Sequence, residues 1–133
     1  MHAAAPAAVL SGVPSTLHAL ITRCDRLEAS LAAGSILLPC EKRWARLLAA
    51  AVPVHLGVSV FWALVLSAIL PRKKPLIGGA LAGMAIAAVD LGVFGRRFHR
   101  VRRLPVFPQL ADHIAFGVVA AAALARRFAA PAR

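Results

Sequence analysis

The sequence predicts an all-α integral membrane protein, a single helical membrane domain over residues 1–133 with three strong transmembrane helices and a candidate fourth. Hydrophobic residues make up 60% of the chain and the mean hydropathy is +0.75, whereas soluble domains have about 45–50% apolar residues. The apolar residues are also grouped into long uncharged runs with basic residues at their ends. This grouping is typical of membrane spans.

The N-terminal segment, residues 3–22, is uncharged but interrupted by Pro6 and Pro14. We interpret it as a retained first span, against a signal peptide, because no basic residue precedes the apolar stretch. Leu31–Leu38 is too short to cross a bilayer, so we expect an interfacial or re-entrant piece that ends at Pro39.

The strongest predicted span is residues 47–70, where His55 is the only ionisable residue among twenty-four. A helix of this length covers ~36 Å, enough for a hydrocarbon core of ~30 Å. Basic residues flank it on both sides, and Trp44 suits an interfacial anchor.

The second predicted span is residues 76–94, which is rich in Gly and Ala and carries Asp90 near its end. Pro71 and Pro75 bracket the basic turn before it, so the two spans should form an antiparallel hairpin. Its small residues, Gly79, Gly83 and Ala87, repeat every four positions and predict close helix packing. That packing is either within the chain or between two copies.

The third predicted span is residues 109–127, in which only 114–125 are free of charge, so Asp112 and His113 should lie near an interface. The preceding residues 95–108 mix apolar residues with five arginines. We predict that this segment lies against lipid headgroups. Its arginines are Arg96, Arg97, Arg100, Arg102 and Arg103.

The net charge of +11 arises from sixteen Lys and Arg against five Asp and Glu. These basic residues sit at the ends of apolar runs, which favours membrane topology and anionic lipid over nucleic acid. The two cysteines, Cys24 and Cys40, have no zinc-site spacing. No cofactor, metal or catalytic motif is present in the sequence, so we expect a protein that is not an enzyme.

Face X of the membrane protein is defined by residues 41–46 and 95–103, and face Y by residues 71–75 and the C-terminus. Face X has eight basic residues and face Y has six. The positive-inside rule therefore places face X in the cytoplasm.

A polar cluster is predicted near face X from Asp90, Asp112, His113 and His55, because all four lie near helix ends on that side. Arg96 and Arg97 are the expected partners of Asp90. Intramembrane carboxylates normally face the bundle interior and pair. The cluster is interpreted either as a proton or ion relay or as a salt-bridged layer that fixes helix register.

These features predict a non-enzymatic structural or accessory subunit of a membrane assembly. Its expected partners are the lipid bilayer, with anionic lipids as candidates, and another membrane protein or a second copy. The alternative hypothesis is a small proton-coupled transporter or channel that uses the polar cluster.

The sequence contains the short stretches SGVPST (11–16), LLP (37–39), DLG (90–92), GRR (95–97), PQ (108–109) and ADHIAFG (111–117). Taken together, these stretches resemble a group of uncharacterised small multi-pass membrane proteins of actinobacteria. The resemblance covers most of the chain and implies the membrane class and a bacterial source, so we expect the protein in the inner membrane. It implies no activity and no site residues.

Overall fold

The computed structural model describes residues 27–129, and every regular element in this range is helical. Three of these helices are long and apolar enough to span a membrane: Trp44–Ile69, Pro75–Arg97 and Val106–Arg126. The predicted fold class, an all-α membrane protein, is confirmed. The predicted first span, residues 3–22, lies outside the described residues. The elements are α1 (Glu28–Leu37), α2 (Trp44–Ile69), α3 (Pro75–Val89), α4 (His99–Arg102) and α5 (Val106–Ala129).

The helix that begins as α3 continues past Val89 with a different hydrogen-bonding pattern. It continues into a π-helical turn, Asp90–Phe94, and then a 3-10 turn, Gly95–Arg97. Single π-helical turns within α-helices occur often at functional sites.

The connection between α2 and α3 is short and built from proline and one strained residue. Leu70 has an extended backbone, and Pro75 occupies the start of α3, where its missing N–H costs no hydrogen bond. Lys74 adopts a left-handed backbone with φ of 54°. Its carbonyl nevertheless accepts a hydrogen bond from Gly78 N–H at 3.1 Å, which begins the helix.

α3 and α5 pack with their backbones in close contact along the glycine face of α3. A Cβ added to Gly83 would lie 2.7 Å from the Cα of Ile114, and one added to Gly79 would lie 2.6 Å from the Cβ of Ala121. Gly117 approaches Gly79 in the same way. The small-residue face is therefore filled by α5 of the same chain.

α1 forms a second close pair with α2. A Cβ on Gly34 would overlap the backbone carbonyl of Leu47, and Ala32 and Leu47 are buried. At ten residues α1 extends only ~15 Å, too short to cross a bilayer. The interfacial or re-entrant segment predicted at Leu31–Leu38 is thus the helix α1, which packs on the side of α2. α1 begins three residues before the predicted start, at Glu28.

α2 meets α3 and α5 mainly through long side chains, because their backbones come near one another at few positions. The shared core contains Leu66 of α2, Ile86 of α3, and Phe116 and Ala120 of α5. Large apolar side chains elsewhere point outward, as expected for helices solvated by lipid. They include Val52, Leu56, Phe61, Leu64, Ile77, Leu81 and Met84.

Candidate functional site

The polar cluster of the described helices is centred on Asp90, the first residue of the π-helical turn. A carboxylate in an apolar helix is costly unless it receives hydrogen bonds or an opposite charge. Two side chains from other helices supply these contacts.

Asp90 joins three membrane-spanning helices through one carboxylate oxygen. Trp62 of α2 donates its Nε1–H to Asp90 Oδ2 at 3.0 Å. His113 of α5 places Nε2 3.4 Å from the same oxygen, which is an ion-pair distance. The contacts lie beside the core made by Leu66, Ile86 and Phe116, so apolar packing and polar pairing fix the same arrangement of helices.

The second ring nitrogen of His113 is also occupied. Nδ1 lies 2.7 Å from the backbone carbonyl oxygen of Gln109, one turn earlier in α5. A carbonyl oxygen only accepts hydrogen bonds, so Nδ1 must carry a proton and donate it. This contact holds the ring so that Nε2 faces Asp90.

The cluster is partly covered rather than sealed. The His113 side chain is 20% exposed and that of Asp90 is 21% exposed. Within the described part of the chain, no fully buried side-chain nitrogen or oxygen lacks a hydrogen-bond partner. Asp90 and His113 are therefore within reach of water or headgroups but are already engaged with each other.

The structure brings together two of the four residues that the sequence assigns to the cluster, Asp90 and His113. Asp112 lies close enough to His113 to interact with it electrostatically. His55 differs from the prediction. It lies on the same stripe of α2 as Trp62, about two turns away, yet its side chain is exposed. This exposure distinguishes His55 from Asp90 and His113, whose side chains are only about one-fifth exposed.

The predicted partners of Asp90 are also corrected. Arg96 and Arg97 follow the π-helical turn and have exposed side chains, and Asp90 instead contacts Trp62 and His113. Sequence reasoning missed Trp62 as a cluster member. The available signal was an indole N–H within an apolar span, because such a donor needs an acceptor when it is away from water.

The predicted lipid-facing arginines lie on the segment between α3 and α5. Four of them are exposed and Arg100 is half-buried. Phe107, 85% exposed, lies at the start of α5 directly after them. Apolar and cationic side chains thus share one surface at face X. The exposed four are Arg96, Arg97, Arg102 and Arg103.

A second polar feature of face X is Glu41, in the loop before α2. Its carboxylate accepts hydrogen bonds from the backbone N–H groups of Lys42 and Arg43, each at 2.9 Å, and from Arg46 Nη1 at 3.1 Å. The Arg43 N–H, with the Arg46 guanidinium next in effect, lowers the pKa of the Glu41 carboxyl below its ordinary value. Glu41 therefore fixes the turn that leads into α2 and places a negative charge near its N-terminal end, where the helix dipole favours one.

No protein-family model, characterised protein or solved structure matches the chain. Among residues 27–129, no three His, Cys, Asp or Glu side chains group in a way that could hold a metal ion. A cavity of about 320 Å³ opens near face Y, away from the polar cluster. It is lined by Leu70, Pro71, Arg72, Pro75, Ala121, Leu124 and Ala125.

Proposed function

We propose that the protein is a non-enzymatic accessory subunit that packs against another protein within the membrane. Support comes first from the polar cluster, in which Asp90 of α3 contacts Trp62 of α2 and His113 of α5. Support comes also from the close α3–α5 pair, in which the backbones meet at Gly79, Gly83 and Gly117. Both features fix the helices of this chain relative to one another, as expected of a subunit that packs against a partner.

The observation that carries the proposal is the surface of α2. This helix has 26 residues, of which only Leu47, Ala51, Ser59 and Leu66 are buried. Gly57 has open space where a Cβ would stand, with the exposed side chains of Phe61 and Leu64 further along the helix. Association of helices in lipid depends on close packing at small residues, so this surface suits a helix of a partner protein.

The experiment is native mass spectrometry of the full chain extracted into nanodiscs from its own membrane. A partner protein at fixed stoichiometry supports the accessory role. A Gly57→Leu variant should lose that partner, because the larger side chain fills the proposed contact. Ala85→Leu, at an exposed position of α3, is the matched control and should retain it. Recovery of the protein alone as a monomer contradicts the proposal.

A second candidate function, proton-coupled transport, is favoured by one observation. Asp90 and His113 form an ionisable pair within spanning helices, and such pairs mark proton pathways in pumps and transporters. The test is proton flux into liposomes that contain the purified protein. Asp90→Asn should abolish a flux that depends on this pair, and unchanged flux in both Asp90→Asn and Asp112→Asn removes the candidate.

We further propose that the protein lies in the cell membrane of an actinobacterium with face X in the cytoplasm, where its arginines meet anionic lipid. The basic excess of face X supports this orientation. Cys40 is exposed beside Glu41 and reports the side of face X. In a Cys24→Ser variant, a membrane-impermeant thiol reagent should leave Cys40 unlabelled in intact cells and label it in inverted vesicles.

A further inference from the structure

We propose that Asp90 and His113 form a binding site for a single exchangeable proton within the membrane-spanning bundle, and that Trp62 responds to its occupancy. The proposal goes beyond the accessory role and does not require that protons cross the membrane. Its basis is the Trp62–Asp90 hydrogen bond, the contact of His113 with the Gln109 carbonyl oxygen, and the approach of His113 Nε2 to Asp90 Oδ2 at 3.4 Å.

The first step is a count of protons between His113 and Asp90. Nδ1 of His113 must be protonated because it faces the carbonyl oxygen of Gln109 at 2.7 Å. In a neutral ring, Nε2 then has no hydrogen and only a lone pair that accepts hydrogen bonds. An ionised carboxylate oxygen 3.4 Å away also presents only lone pairs. A proton on Nε2 or on Asp90 makes this approach favourable, so we assign one proton to the pair.

Either placement of that proton satisfies the geometry. An imidazolium donates to the Asp90 carboxylate, or a protonated Asp90 donates to neutral His113. In both cases Oδ2 still accepts the Nε1–H of Trp62 at 3.0 Å. The site thus holds one proton in either form, and the titration belongs to the pair rather than to one residue.

The second step concerns what happens when this proton leaves. The pair would then retain an ionised carboxylate beside a ring lone pair in a largely apolar setting, where unpaired charge is strongly unfavourable. His113 would turn away from Asp90, and Trp62 would remain its donor. The environment of the Trp62 indole therefore changes with proton occupancy.

The third step is the local backbone. Asp90 begins a π-helical turn, and Gly92 within that turn has open space around the position of a Cβ. A π-helical turn shifts the register of the backbone hydrogen bonds, and such turns recur at functional sites. Asp90 therefore lies at a point where the helix departs from regular α geometry.

The charged groups around the pair modify its titration. Asp112 adds a negative charge near His113 on α5. Arg96 and Arg97 follow Asp90 on the 3-10 turn with exposed side chains, and His99 is exposed on α4. On α2 the titratable group nearest Trp62 in sequence is His55, also exposed. α1, which carries Glu28, packs against α2 and α4.

The test is a pH titration of Trp62 fluorescence with protons as the only ligand. Trp62 becomes the sole tryptophan in a full-length Trp44→Phe protein in nanodiscs. We expect a single one-proton transition, because the titration belongs to the pair. Asp90→Asn and His113→Gln should each abolish it, while the control His55→Gln should retain it. A transition that survives both cluster variants, or the absence of any transition, overturns the proposal.

A second measurement needs no variant at the site. ¹⁵N NMR of histidine-labelled protein resolves both ring nitrogens, and His113 should keep Nδ1 protonated while Nε2 changes with the same midpoint as Trp62. A His113 ring that is neutral and protonated on Nε2 overturns the proposal. The result is independent of partner recovery and of proton flux, so a failure here is distinguishable from a failure of either proposed function.

Discussion

Trp62 and Asp90 are 28 positions apart in the chain, yet the indole N–H of Trp62 donates to the Asp90 carboxylate at 3.0 Å. This hydrogen bond joins α2 to α3, whose backbones come close at few positions. Trp62→Phe keeps an aromatic ring beside the core but removes the donor. A hydrogen bond to a charged group contributes about 1.5–3 kcal/mol, so the variant should be less stable by up to that amount.

The measurement is the loss of helical circular dichroism as SDS is added to the protein in mild detergent. Trp44→Phe is the control, because Trp44 is 63% exposed at the start of α2. It should leave the midpoint unchanged. Equal shifts in the two variants would mean that the Trp62–Asp90 hydrogen bond adds nothing to the joining of α2 and α3.

The positions of the long helices followed from the sequence because uninterrupted apolar runs of about twenty residues have few alternatives to a membrane span. α2 extends from Trp44 to Ile69, against an expected 47–70, and the small differences fall at helix ends. The π-helical turn at Asp90 was not predictable. It arises from local packing and leaves no periodic signal in the sequence.

The sequence predicted the level of the candidate site in the membrane but not which side chains are in contact there. Asp90 and His113 were expected at the same level because both lie near face X, and they are in contact. His55 shares the correct face of α2 with Trp62 but remains exposed. The spacing between helices depends on the side chains that fill the gap, here Leu66 and Phe116, and sequence periodicity does not specify it.

Gly83 is one of the glycines of the α3–α5 pair at which a Cβ has no room. A Cβ there would overlap the backbone carbonyl of His113 and stand 2.7 Å from the Cα of Ile114. Gly83→Ala should therefore separate the two helices and lower the stability by at least the ~1–3 kcal/mol typical of overpacking. The same SDS titration measures it, with the Trp62 emission as a second readout because the separation moves His113.

Gly57→Ala is the matched control for Gly83→Ala. Gly57 is also within a spanning helix, but no atom lies within 4 Å of the added Cβ. Alanine favours helix over glycine by about 1 kcal/mol in aqueous hosts, so this variant should be neutral or slightly more stable. If both variants lower the stability equally, backbone proximity at Gly83 is not the cause.

Lys74 is the single described non-glycine residue with a left-handed backbone. The left-handed region costs residues with a Cβ roughly 1–2 kcal/mol, which glycine avoids. Lys74→Gly should therefore stabilise the α2–α3 hairpin, by less than that range because the unfolded chain gains freedom. Lys73→Gly removes the same charge without relieving strain and should be neutral or destabilising. The measurement is the SDS concentration at the unfolding midpoint. A midpoint that does not rise in Lys74→Gly relative to Lys73→Gly would contradict strain at Lys74.

Glu41 makes the N-terminal end of α2 sensitive to acid. Its pKa is lowered in the folded protein, so its stabilising effect is complete above the unfolded pKa and is lost as the pH falls through the folded pKa. Glu41→Gln should lower the SDS midpoint at pH 7. The difference from the unmodified protein should disappear as the pH falls through the folded pKa of Glu41, which lies below the ordinary value, because both proteins then lack the charge. A difference that persists in acid would assign the effect to shape rather than charge.

The arginine segment at face X predicts selective binding of anionic phospholipid. Arg100, Arg102 and Arg103 precede the exposed Phe107, so headgroup phosphate and acyl chain meet complementary side chains at one place. Each basic residue near an anionic surface contributes about 1 kcal/mol. Replacing all three arginines with Gln should weaken the affinity for phosphatidylglycerol roughly a hundredfold.

Lipid exchange into nanodiscs, followed by native mass spectrometry, measures this binding against phosphatidylcholine. Replacing Arg72, Lys73 and Lys74 with Gln removes an equal charge from face Y and serves as the matched control. The control should retain most of the bound phosphatidylglycerol. Added salt should weaken lipid binding by the unmodified protein more than lipid binding by the face X variant, because salt screens only the charges that are still present. Equal losses from the two triple variants would show that total charge governs lipid binding, without a preferred surface at face X.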